Sequence, residues 1–161
     1  HRHSMVDTLS MESAQDHEDW LNRLRGLPEQ LSQYQALLSE GISRDRTQAQ
    51  IVMSRVPSQI ANLITDQASE SPFYRAFATM PEGIDPDTQS SLQSAAATVI
   101  DEQVNPALQA LLAFLESDYL PAARPPGIGA LPGGKQVYNR LAQHFTTTEL
   151  TPDEIHEIGL R

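Results

Sequence analysis

Residues 88–118 read TQSSLQSAAATVIDEQVNPALQALLAFLESD, and this stretch decides the fold. Leu92, Ala96, Val99, Val104, Leu108, Leu111 and Leu115 recur at steps of three to five residues, which is one face of a long helix. Pro106 falls inside the run and cannot donate to a helical ladder, so the rod is expected to bend around Asn105-Pro106 and become a helix pair. With Phe114 and Tyr119 this is the central core piece. No run of five or more residues alternates in strand fashion, and Leu (18) and Ala (17) far outnumber Val and Ile together (15). These are helix formers, whereas the residues that favour strands are scarce. The fold class is therefore all-α: an array of about seven helices around the bent pair.

Working outward, a first helix is expected from about Thr8 to Arg25, with Met11, Ala14, Trp20, Leu21 and Leu24 near one face and Gly26 as its stop. Pro28 reads as the first residue of a second helix that carries Leu31, Tyr34, Leu37 and Leu38 and closes at Gly41. A third, from about Thr47, places Val52, Val56, Ile60 and Leu63 along a stripe, with a kink or break at Pro57. Ser71-Pro72 opens a short turn bearing Phe73 and Phe77, and residues 80–90 read as a loop. Residues 121–134, PAARPPGIGALPGG, read as an ordered connector. A helix follows with Val137, Tyr138, Leu141 and Phe145 on one side. Thr151-Pro152-Asp153-Glu154 then gives N-cap, proline, acid and Glu in the order of a capping box. The last helix has about ten residues before Arg161, which suggests a fragment of a longer chain. His1-Arg2-His3-Ser4-Met5 resembles a histidine tag and cloning scar, leaving residues 6–161 as a single helical domain.

Composition limits the function. The chain has 161 residues, one of them a lysine (Lys135), and 21 acidic against 11 basic side chains for a net charge of −10. That balance opposes nucleic acid and anionic membrane surfaces, which reward clustered cations. No stretch approaches the roughly 20 apolar residues of a membrane span, so no membrane insertion is expected. Cysteine is absent, which removes thiolate nucleophiles and Cys-ligated metals.

Few residues suggest chemistry. His156-Glu157 begins like a zinc-peptidase signature, but the position of the second imidazole is Leu160. His17, among Asp16, Glu18 and Asp19, reads as part of a solvated acidic face. Asp101-Glu102 and Glu116/Asp118 read as solvating charge. Gly127-x-Gly129 lacks both a leading strand and the Lys-Ser/Thr ending of a phosphate loop. Thr146-Thr147-Thr148, after His144, fits either capping and turn chemistry or the polar wall of a cleft. No catalytic or metal residue is identified within the chain.

Two stretches carry a resemblance. Residues 114–161, FLESDYLPAARPPGIGALPGGKQVYNRLAQHFTTTELTPDEIHEIGLR, and more weakly TQAQIVMSRVPSQIANLI with SPFYRAF in 47–77, resemble the bacterial family called domain of unknown function 885. Its Tyr-Leu-Pro-x-Ala-Arg, Leu-Pro-x-Gly-x-x-x-Tyr and Thr-Thr-Thr-x-Leu-Thr-Pro-Glu-Glu-Ile-His segments correspond to Tyr119 to Arg124, Leu131 to Tyr138 and Thr146 to His156. In the family a His directly precedes the threonines; the sequence departs by placing Phe145 there, between His144 and the threonines. The resemblance implies a helical architecture similar to zinc peptidases, with the metal motif, His-Glu-x-x-Pro-Gly-His-His, further along than this chain reaches. It thus implies the amino-terminal part of a zinc-dependent peptidase, inactive alone, with zinc in the full-length parent. The alternative is a non-catalytic binding or scaffold module. Implied cleft-lining residues are Gly133, Gly134, Tyr138, His144, Thr146, Thr147 and Thr148. Implied partners are the remainder of the same polypeptide and a peptide-like substrate. Surplus exposed apolar surface and self-association are expected where that remainder is missing. Cytoplasmic and exported locations both remain open.

Overall fold

The computed structural model describes residues 11–161. The tag-like residues 1–5, and the expected helix start at Thr8, lie outside them. Among the described residues the chain is helical with no strand, as the composition leads one to expect.

The first long helix, α1 (Ala14–Ser43), overrides two stop signals. It runs through Gly26 and Pro28 where the sequence suggests two helices. An interior proline costs about 3 kcal/mol and a glycine about 1 kcal/mol relative to alanine. The override comes from packing: Leu21 and Leu24 are buried, and Leu27, Leu31, Leu38 and Ile42 continue the same stripe against the core. Gly26 faces open space, so its missing side chain forfeits no contact. At the start, Ser13 caps the helix by accepting from the Asp16 N–H, while the Asp16 carboxylate accepts from the Ser13 N–H at 2.8 Å.

His17 corrects the sequence reading. It is fully buried, with Nδ1 2.8 Å from the Ser13 carbonyl oxygen and Nε2 3.1 Å from that of Ala76. Trp20, Leu21 and Leu24 follow it by three, four and seven residues, so the stripe that enters the core carries His17 with it. Asp16, Glu18 and Asp19 flank it on other faces. Trp20 likewise donates its indole N–H to the Phe73 carbonyl at 3.1 Å, and these two bonds tie α1 to residues 73–76.

Residues 47–63 form α2 (Gln50–Met53) and α3 (Val56–Ala61), with Pro57 in the first turn of the second. The expected break is present, but Thr47 lies before the helix rather than in it and Val52 is exposed. The short α4 (Arg75–Ala78) buries Phe77 completely.

The central rod runs from Pro86 to Ala122. It comprises α5 (Pro86–Val99), a π-helical turn (Ile100–Val104), α6 (Asn105–Phe114), a second π-helical turn (Leu115–Tyr119) and α7 (Leu120–Ala122). It starts within the expected loop, because Asp85 caps it by accepting from the Thr88 N–H and Pro86 takes the first position. Every residue of the stripe read from the sequence is buried, as are Ile100 and Tyr119. The five-residue step from Val99 to Val104 spans the first π turn, whose extra residue keeps the stripe on one side.

Both π turns have the same cause. Asn105 N–H bonds to the Ile100 carbonyl and Leu120 N–H to the Leu115 carbonyl, five residues back in each case. A proline follows each donor, Pro106 and Pro121. Widening the turn relieves the clash between the proline ring and the preceding turn, so the rod bends without breaking. Asn105 also donates its side-chain amide to the Thr65 carbonyl at 3.1 Å. The rod packs against α1 along most of its length, and α3 and α4 close over it.

The chain leaves this core through a connector containing one 3-10 turn (Ile128–Ala130) and ends in α8 (Gly134–Thr146) and α9 (Pro152–Gly159). Gly134 is the only buried residue between 131 and 161. The capping box at Thr151 is formed as expected: Thr151 N–H donates to the Glu154 carboxylate at 2.8 Å and Glu154 N–H to the Thr151 hydroxyl at 3.3 Å.

These bonds hold the Glu154 carboxyl below its ordinary value of 4.5. A depressed folded value means the cap stabilises above the unfolded value and fades as pH falls through the folded one. The Thr151 amide resonance is therefore expected to titrate with a midpoint below 4.5. Glu154→Gln, which keeps an acceptor but cannot ionise, abolishes that titration. A Thr151 shift that follows pH equally in both proteins would dissociate it from the cap.

Candidate functional site

Three sequence segments build the site. The first is a latch at the end of the rod. The buried Tyr119 hydroxyl accepts from the Gln48 N–H at 2.8 Å, and the Thr47 hydroxyl donates to the Ala122 carbonyl at 3.2 Å. Thr47 Oγ1 also accepts from the Arg124 N–H at 3.0 Å, and Gln50 N–H donates to the Arg124 carbonyl at 2.9 Å. The Arg124 guanidinium then donates to three carbonyls, those of Thr47 (2.9 Å), Pro125 (3.1 Å) and Gly127 (2.7 Å). Three carbonyl acceptors around one guanidinium fix the start of the glycine turn. The Tyr-Leu-Pro-x-Ala-Arg segment is thus a structural clasp: its Tyr and Arg are the two ends that hold residues 47–50.

The second segment is the glycine turn and the start of α8. Gly127 has φ +96° and Gly133 φ +71°, both in territory that side chains avoid. Gly134 serves differently. A Cβ there would overlap the Ile128 carbonyl oxygen and lie 2.8 Å from its carbon, so α8 rests on the turn at a contact only glycine permits. One helical turn beyond Gly134 stands Tyr138, which gives the four-residue spacing of the motif its physical meaning.

The third segment is the α8–α9 turn. Thr147 sits at φ +56° as the C-terminal cap of α8. Thr146 donates to the Ala142 carbonyl at 2.8 Å, and its hydroxyl lies 2.9 Å from that of Thr148. The three threonines therefore engage in capping and turn chemistry, and α9 folds back beside α8.

Two adjoining cavities result. The first, of about 530 Å³, has mixed walls, more apolar than polar, and draws its polar groups from Lys135, Tyr138, Asn139 and Asp153 opposite the Gly127–Gly129 turn. An apolar groove of about 440 Å³ runs between α8 and α9, lined by Leu141, Ala142, Phe145 and Ile155. Tyr138 and Pro152 border both. Of the residues implied by the family resemblance, Tyr138 and Thr146 line these cavities. Gly133 and Gly134 line neither cavity and set the start of α8, Thr147 and Thr148 belong to the turn after it, and His144 lies against Phe145 with ring centroids 5.2 Å apart. Lys135, Asn139 and Asp153 were not singled out by sequence. Only the spacing Lys135-Tyr138-Asn139, three and four residues on one helix face, hinted at convergence.

Among the described residues no three His, Asp or Glu side chains gather as a metal site. No described helix is long and apolar enough to cross a membrane.

Comparison with known proteins agrees with this architecture. No curated protein matches the sequence significantly. The fold is similar to the crystal structure of a protein from Colwellia psychrerythraea described as a candidate lipoprotein, with a TM-score of 0.75 at 20% identity. The similarity covers 97% of this chain and 27% of that one, so the chain spans about a quarter of its neighbour's length. The sequence itself matches a bacterial family of unknown function, DUF885, over residues 1–161, and the chain belongs to that family.

Proposed function

We propose that this chain is the helical, substrate-contacting wall of a longer peptide hydrolase. The observation that carries the reading is the paired cavity: a recess with mixed walls opening into an apolar groove, with Tyr138 between them. A recess with a few convergent polar groups beside apolar surface is the usual form of a small-ligand site. The similarity over only 27% of a longer neighbour supports a larger parent. Catalytic groups, zinc included, would then come from other parts of that polypeptide.

The remaining polypeptide is also the proposed partner for the apolar surface outside the groove. Val137, Ile158 and Leu160 are roughly half to two-thirds exposed and border neither cavity. Without that cover the chain alone is expected to self-associate. A clean monomer by light scattering at high protein concentration would count against it.

The alternative reading is a non-catalytic binding module. Tyr138→Phe in the full-length protein separates the two. Losing one hydroxyl contact to substrate is expected to lower peptide hydrolysis about tenfold. Unchanged hydrolysis with unchanged peptide affinity would sink the cleft-wall reading, and peptide binding with no hydrolysis would establish the binding module.

A further inference from the structure

We infer that the recess and the adjoining groove form one subsite for a short, unblocked peptide with an apolar side chain. This deepens the cleft-wall reading and rests on it for the ligand's class.

Lys135, Tyr138, Asn139 and Asp153 line the recess, all four exposed to solvent, and among the described residues none of their side chains has a hydrogen-bond or ion-pair partner. Two of them carry opposite charge. Lys135 is the chain's single lysine, and its stem runs beside Gly129, where an added Cβ would meet its Cγ at 3.9 Å. Asp153 stands across the recess in the first turn of α9. A cation and an anion lining one recess without pairing to each other complement a ligand that carries both charges. Lys135 and the Asn139 amide suit a carboxylate, Asp153 suits an ammonium, and Tyr138 can bond a peptide group between them.

The groove supplies the third element of recognition. It begins at Tyr138 and Pro152, which it shares with the recess, and continues along Leu141, Ala142 and Ile155. An apolar side chain entering there leaves water while the charged ends stay in the polar part. Other classes fit less well. A phosphate would face Asp153 with one cation to hold it, and a fatty chain would desolvate Lys135 and Asp153 without a partner. Both cavities are within the size range of small-molecule sites, and the recess is large enough for a dipeptide backbone.

The test uses the 161-residue chain and leucyl-leucine as the probe, followed by amide chemical shifts and titration calorimetry. The expected dissociation constant is on the order of 1 mM, with shifts centred on Tyr138, Asn139 and Asp153. N-acetyl-leucyl-leucine amide, which lacks both charges, is expected to bind about tenfold more weakly, as is leucyl-leucine to Lys135→Ala or Asp153→Asn. Both positions are exposed, so circular dichroism of each variant should match that of the parent chain. No shift at these amides up to about 20 mM leucyl-leucine, or equal binding of the blocked peptide, overturns the proposal. The two readings fail separately. A full-length protein that hydrolyses nothing, with the chain still binding leucyl-leucine, keeps the subsite and removes the hydrolase. Hydrolysis that ignores both end-blocking and Lys135→Ala removes the subsite and keeps the hydrolase.

Discussion

Gly134→Ala is expected to release α8 and α9 from the rest of the protein while leaving the core folded. The added methyl would occupy the position of the Ile128 carbonyl oxygen and approach Gly129 Cα to 3.2 Å. Backbone atoms surround the site, so no side chain can swing aside to make room. The helix must lift off the turn, and that turn is its principal contact. Short helices are marginal in water without tertiary packing, and α8 has 13 residues and α9 only 8. Amide exchange at 134–159 should therefore rise towards unfolded rates, while α1 and the rod keep their protection. Gly133→Ala provides the comparison. Its φ of +71° makes alanine strained by about 1 kcal/mol, but nothing lies closer than 3.9 Å, so only a modest local loss is expected. Equal exchange in Gly134→Ala and the parent chain would mean that the glycine contact does not hold the helix.

That contact illustrates what a sequence hides. The core was legible because it is local and periodic: Leu92, Ala96, Val99, Val104, Leu108, Leu111 and Leu115 all lie buried on one face of the rod. Even the five-residue step at Val99–Val104 was visible, although it signifies a π turn as well as a bend. Capping signals were legible for the same reason, with Thr151 correctly placed. The Asp85-Pro86 start, a cap and a proline without the Glu of a capping box, was obscured by Gly83 and Pro81 just before it. Punctuation failed in α1, where Gly26 and Pro28 looked like a boundary and the buried stripe carried the helix across it. His17 was misjudged from its charged neighbours, when its spacing to Trp20, Leu21 and Leu24 was the better guide. Tyr138 came forward through its motif, whereas Lys135 and Asp153 did not. They meet only because Gly134 seats α8 on the 128–130 turn and the Thr147 turn brings α9 back beside it. A site assembled by two reversals of the chain leaves little trace in local spacing.

Tyr119→Phe tests how the core dictates the geometry of that site. Removing this hydroxyl takes the acceptor from the Gln48 N–H in a part-buried bond, whose buried end is Tyr119 (1% exposed) while Gln48 itself is exposed. Losing such a bond costs about 0.5–1.5 kcal/mol, a noticeable share of the stability of a domain this size. Exposed Tyr34, whose hydroxyl accepts only from Gln30, supplies the contrast: Tyr34→Phe should fall within about 0.5 kcal/mol of the parent. The second consequence is positional. Gln48 lies between Thr47, which bonds Ala122 and Arg124, and Gln50, which bonds the Arg124 carbonyl. Loosening residues 47–50 frees Arg124 from one side, and Arg124 holds the Gly127 carbonyl at the mouth of the recess. Tyr119→Phe should therefore lower the midpoint of urea unfolding and increase amide exchange at 124–130, some distance from the mutated ring. A lower midpoint with unchanged exchange at 124–130 would make Tyr119 a core residue alone. Loss of both together would make the clasp the route by which the rod sets the shape of the cavity.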